Sequence, residues 1–138
     1  GPALADAGAS AMLDVSDGLL RDAGRIARAS GVVVELTEPE TGAADGPAPG
    51  LETDVAFLEP VARLLEPDPA AARALARAWV LTGGEDHGML ATLPPSAGEL
   101  PERARVIGTV RARRDDEPAG VLIGGRVPEQ LGWDHFRA

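Results

Sequence analysis

Between Ala11 and Leu36 the chain spells out an apolar run, a tight acidic corner, an amphipathic helix, a glycine and a strand. Leu19, Ala23, Ile26, Ala27 and Ser30 recur at helical spacing, with Arg21, Asp22, Arg25 and Arg28 assigned to the outer side. Gly31 is placed to close that helix in a left-handed conformation. Val32-Val33-Val34-Glu35-Leu36 is rich in β-branched residues and reads as a strand. The corner itself is Asp14-Val15-Ser16-Asp17-Gly18. If the residues before it are extended, Leu13 and Val15 share a buried face, and Asp14 and Ser16 share the other.

The remaining chain is punctuated rather than repetitive. Residues 3–10 are small and weakly helical. From Glu38 to Thr53 prolines and glycines interrupt any period, which predicts a long loop. Thr53 or Asp54 is a candidate cap for a helix carrying Val55, Phe57, Leu58, Val61, Leu64 and Leu65 on its apolar side, kinked or divided by Pro60. Asp68-Pro69 opens a second helix. Met89–Leu93, Val106–Val110 and Gly120–Ile123 read as strands, and the last two are expected to pair antiparallel across the solvated turn at 113–118. Strands and helices mix without regular alternation, so the fold class is α+β, as one domain spanning 1–138.

Composition narrows the chemistry. A formal net charge of −9 opposes a nucleic-acid surface, which needs a basic footprint. It does not oppose a phosphate ligand, because bound cations invert the local sign. The absence of cysteine excludes disulfides, zinc–thiolate sites and cysteine nucleophiles. All 13 basic residues are arginine, and without lysine a Walker-type P-loop is excluded. There is no apolar run of membrane-spanning length and no basic, apolar leader at the start, so a soluble cytoplasmic protein is expected.

Three clusters carry candidate chemistry. Asp14 and Asp17 supply two carboxylates beside a helix start, a setting that offers oxygen ligands to a hard cation and N–H donors to an anion. The same residues fit a plainer reading in which Ser16 or Asp17 caps the helix. Asp22, about one turn further on, reads as surface charge. Gly83-Gly84-Glu85-Asp86 presents acidic groups on a tight turn, or else ends a helix in a solvated loop. Gly132-Trp133-Asp134-His135-Phe136 concentrates aromatics in a chain that is only 3% aromatic. Its rings suit stacking on a heteroaromatic ligand, or anchoring of the terminus. His87 and His135 stand in no metal-ligand motif, and no serine lies in a nucleophile elbow.

Taken together and in order, these clusters resemble the C-terminal domain of thiamine-monophosphate kinase, in the aminoimidazole ribonucleotide synthetase-like superfamily. The resemblance runs through Ala11–Leu20, Asp22, Ile26, Ser30-Gly31-Val32, Gly83–Asp86 and the Trp133–Phe136 ending, so it spans essentially the whole chain. It implies a mixed β-sheet flanked by helices. It also implies transfer of the ATP γ-phosphoryl to thiamine monophosphate, giving thiamine diphosphate, with several magnesium ions. Asp14 and Asp17 would then be magnesium ligands, Ser16 would contact ATP, and Glu85 and Trp133 would contact thiamine monophosphate. Two departures accompany it. The family commonly continues Gly-Gly-Glu-Asp with Tyr-Glu-Leu, where this chain has His87-Gly88-Met89. The family's N-terminal nucleotide domain has no counterpart in these 138 residues. The resemblance therefore implies a full-length homodimer, and an isolated domain that is monomeric with little or no activity. The alternatives are another ATP-dependent branch of the superfamily, such as selenophosphate synthetase or a purine-pathway synthetase, and a non-catalytic binding module.

Overall fold

Three consecutive valines make Val32–Leu36 the segment least tolerant of exposure, and it forms the centre of the larger sheet. The computed structural model describes residues 1–39, 50–84 and 88–131. Among these the elements run α1 (Pro2–Asp6), β1 (Ala11–Val15), α2 (Leu19–Ser30), β2 (Val32–Leu36), α3 (Glu52–Ala62), α4 (Pro69–Thr82), β3 (Gly88–Thr92), β4 (Gly108–Ala112) and β5 (Gly120–Ile123).

The strands form two sheets. β1 pairs antiparallel with β3, setting Asp14 opposite Met89 and Val15 opposite Gly88. The larger sheet has the order β4-β2-β5, with β2 antiparallel to β4 and parallel to β5. The expected β4–β5 hairpin is therefore not formed. An apolar strand needs both edges covered, and β2, with Val33, Val34 and Leu36 buried, takes the central place between them. The segment from Ala112 to Gly120 is long enough to step across one intervening strand, a distance of roughly 10 Å. It is held by Glu117, whose carboxylate accepts from the Arg111 guanidinium at 2.6 and 2.7 Å and from the Arg114 N–H at 3.2 Å.

Helix α2 lies against both sheets and joins their cores. Leu19, Leu20, Ala23 and Ala27 pack with Val34, Leu36, Val121, Ile123, Leu51 and Leu81, and Val15 and Leu90 extend this cluster to the small sheet. Small residues on α2 permit the close approach: a Cβ on Gly24 would lie 3.6 Å from Val121. Gly31 adopts φ 66°, ψ 31° and ends α2 as the sequence predicts. Ser30, placed on the apolar stripe by spacing, is exposed, as the last residue of the helix.

Helices α3 and α4 pack on each other around Val55, Ala62, Ala72 and Ala76. Asp68 caps α4, its carboxylate accepting from the Ala71 N–H at 2.8 Å. Helix α3 differs from expectation in two respects. It starts after Leu51 with no side-chain cap, so neither Thr53 nor Asp54 serves as one. Its apolar residues also divide between two sides. Val55 is buried, whereas Phe57 is 79% exposed and Val61 is exposed one turn on; Leu64 and Leu65, past the end of the helix at Ala62, are exposed as well. Positions 57 and 61, four residues apart, share a face that 55 and 62 do not. Pro60 sits inside this helix, which continues to Ala62 without dividing. No helix among the described residues is long and apolar enough to cross a membrane.

Candidate functional site

The acidic corner joins β1 to α2. Alternation along β1 leaves Met12 and Asp14 exposed, with Leu13 and Val15 half-buried. Ser16 is exposed and Asp17 half-buried. The chain then turns at Gly18, whose φ of 107° lies in the region favouring glycine. A Cβ there would also stand 2.7 Å from the Thr82 carbonyl oxygen, so the corner is pressed onto the end of α4.

Gly18 is the N-cap of α2 and provides no side-chain cap bond, so neither Ser16 nor Asp17 serves as the helix cap. The residue that organises the corner is Asp22. Its Oδ2 accepts from the Ser16 N–H at 2.9 Å and the Asp17 N–H at 3.0 Å, while Oδ1 accepts from Arg25 at 2.6 Å. Asp22 is 0% exposed, which corrects its assignment as surface charge. The signal was present in the spacing: Asp22 lies three residues after Leu19 and four before Ile26, on the buried stripe. The same bonds change the expected donor set. The amides of Ser16 and Asp17 point to Asp22, so this part of the corner offers a ligand side-chain oxygens rather than free N–H groups.

Arg25 also donates to Asp17, and Arg21 approaches the same Asp17 carboxylate at 4.0 Å. The Arg25 guanidinium is held above its ordinary pKa, first by the hydrogen bond to Asp17; partial burial opposes this, and the charges of Asp17 and Asp22 reinforce it. Asp14 and Asp17 therefore differ in setting. Asp14 is open to solvent, whereas Asp17 is braced by arginine. The oxygen-only donor set of Asp14, Ser16 and Asp17 fits a hard cation such as magnesium, which takes one or two protein carboxylates and completes its shell with phosphate and water. Among the described residues no cluster of three or more acidic, histidine or cysteine side chains forms a metal cage.

The second cluster meets the first through backbone. A Cβ on Gly84 would stand 2.6 Å from the Ser16 carbonyl oxygen and 3.7 Å from the Asp17 Cα. Gly84 is thus glycine because the corner lies against it, and Gly88 pairs with Val15 on the other side of the corner. Glu85, with Asp86 and His87, lies outside the described residues, as does Trp133 with the rest of the 132–138 ending.

No family model matches the chain. Curated relatives do. Over 137 residues it is 39% identical to the thiamine-monophosphate kinase of Mycobacterium tuberculosis, an alignment covering 99% of this chain and 34% of that protein. It is 32% identical over 131 residues to the thiamine-monophosphate kinase of Corynebacterium glutamicum, covering 94% of this chain and 33% of that one. The chain resembles the C-terminal part of thiamine-monophosphate kinase. It spans about a third of the length of these curated relatives. Among solved structures, AaThiL complexed with AMPPCP and TMP superposes with a TM-score of 0.59 at 27% identity, over 93% of this chain and 34% of that one. The mixed α+β architecture expected from the sequence agrees with that of this solved neighbour.

Proposed function

We propose that this chain is one domain, spanning 1–138, of a thiamine-monophosphate kinase that transfers the ATP γ-phosphoryl to thiamine monophosphate. The observation that carries the reading is 39% identity over 99% of the chain. The exposed Asp14 and the contact of Gly84 with Ser16 support it, since they bring two motifs far apart in sequence to one corner.

In this reading Asp14 and Asp17 hold magnesium, Ser16 contacts ATP, and Glu85 and Trp133 contact thiamine monophosphate. Magnesium would supply charge neutralisation on the phosphates, the main demand of phosphoryl transfer. The chain's own part is positional. The corner presents Asp14 and Ser16 outward, while Arg25 and Arg21 restrain Asp17. Oxygen ligands on a rigid corner allow an acidic, lysine-free chain to approach a polyphosphate through the cation. The remainder of the polypeptide would supply the nucleotide domain and the dimer contacts, in a soluble cytoplasmic enzyme, and the 138 residues alone would be monomeric and nearly inactive.

Incubating the full-length protein with ATP, magnesium and thiamine monophosphate should give thiamine diphosphate, measured by chromatography. Asp14→Asn and Asp17→Asn should each lower turnover by about 100-fold or more, the scale of several kcal/mol of lost charge stabilisation. Robust turnover by the isolated 138 residues, or a full-length enzyme that ignores thiamine monophosphate, would count against the proposal.

A further inference from the structure

We propose that Asp22 is a positioning residue, setting the geometry of the acidic corner through the Ser16 and Asp17 backbone and, through Arg25, the Asp17 carboxylate. The inference rests on the reading of Asp14 and Asp17 as cation ligands. A carboxylate without solvent contact is costly unless its oxygens are bonded. Asp22 has three such bonds, and their destinations are informative. Two run backward out of the helix, to residues six and five positions earlier, rather than to the unpaired N–H groups of its own first turn. The third engages a guanidinium that also donates to Asp17. One buried group thereby fixes both the path of the corner and the orientation of one proposed ligand, while its own carboxylate stays out of solvent. Supporting groups of this kind are typically worth about 10- to 100-fold in metal affinity.

The test uses the full-length protein. Asp22→Asn keeps the shape but cannot accept from both the backbone pair and Arg25. In metal-free protein, amide hydrogen exchange at Ser16 and Asp17 should accelerate. The magnesium concentration needed to bind AMPPCP, followed by calorimetry, should rise about 10-fold or more. Arg25→Gln serves as the second variant, and decides the matter if the first does not fold. Charge alone predicts that removing a cation beside Asp17 tightens magnesium binding, whereas positioning predicts that it weakens. Unchanged exchange and magnesium dependence in a folded Asp22→Asn protein, or tighter binding in Arg25→Gln, would overturn the proposal. Should Asp14→Asn and Asp17→Asn also leave the magnesium dependence unchanged, the kinase reading fails, and the exchange measurement still decides whether Asp22 holds the corner.

Discussion

A buried carboxylate and a glycine with positive φ create the acidic corner, and each has a measurable cost of removal. Asp22→Ala would leave two N–H groups without their acceptor and cut Arg25 from its inner partner. The expected loss is on the order of 3 kcal/mol by urea unfolding, and a loss under about 1 kcal/mol would contradict the burial argument. Gly18→Ala meets both a disfavoured φ and the Thr82 carbonyl, so a loss of about 2 kcal/mol is expected in the same assay. Glu117 bears on pH instead. Its hydrogen bonds from Arg111 and then Arg114 lower its pKa from 4.5 to about 2. A depressed folded-state pKa means the contribution is complete above the unfolded value near 4.5 and is lost as pH falls toward about 2. Across that window Glu117→Gln should flatten the fall in thermal midpoint relative to the parent chain. Parallel curves for the two proteins would show that the pair contributes nothing.

At the level of elements, what was legible in the sequence is what local chemistry determines. Asp68-Pro69 announced α4 because capping and proline geometry act within one turn, and Asp68→Ala should cost about 1 kcal/mol of thermodynamic stability, read by urea titration. Gly31 ended α2, and alternation along β1 exposed Asp14, for equally local reasons. Pairing was not legible. Which strand lies beside β2 depends on covering both edges of an apolar strand, a property of the assembled sheet, so the expected β4–β5 hairpin gave way to β4-β2-β5. The two-sided apolar character of α3 was similarly ambiguous, because composition alone does not say which stripe faces α4. At the site, the outward Asp14 followed from period two, but the role of Asp22 was obscured by its charge, although its spacing placed it inward.

The whole molecule raises the question of whether its two apolar clusters unfold together. One cluster joins α2 to both sheets, and the other lies between α3 and α4. They meet along α4, where Trp79 packs on the second, Leu81 is buried in the first, and Val80 packs against both. Adjacent residues of one helix cannot keep their packing if either cluster melts, since the helix itself would fray between them. The corner adds a second tie, because Gly18 and Gly84 place the start of α2 against the end of α4. One cooperative transition is therefore expected for 1–138. Of the two tryptophans, Trp133→Phe would leave Trp79 to report on the α3–α4 cluster by fluorescence, while far-UV circular dichroism follows all elements. The two urea curves should coincide. Leu20→Ala, in the other cluster, should move both midpoints down together, by the roughly 2–5 kcal/mol of a buried leucine truncation. If the tryptophan signal instead held its position while the dichroism shifted, the helical pair would be a separate unit and the one-domain reading would fail.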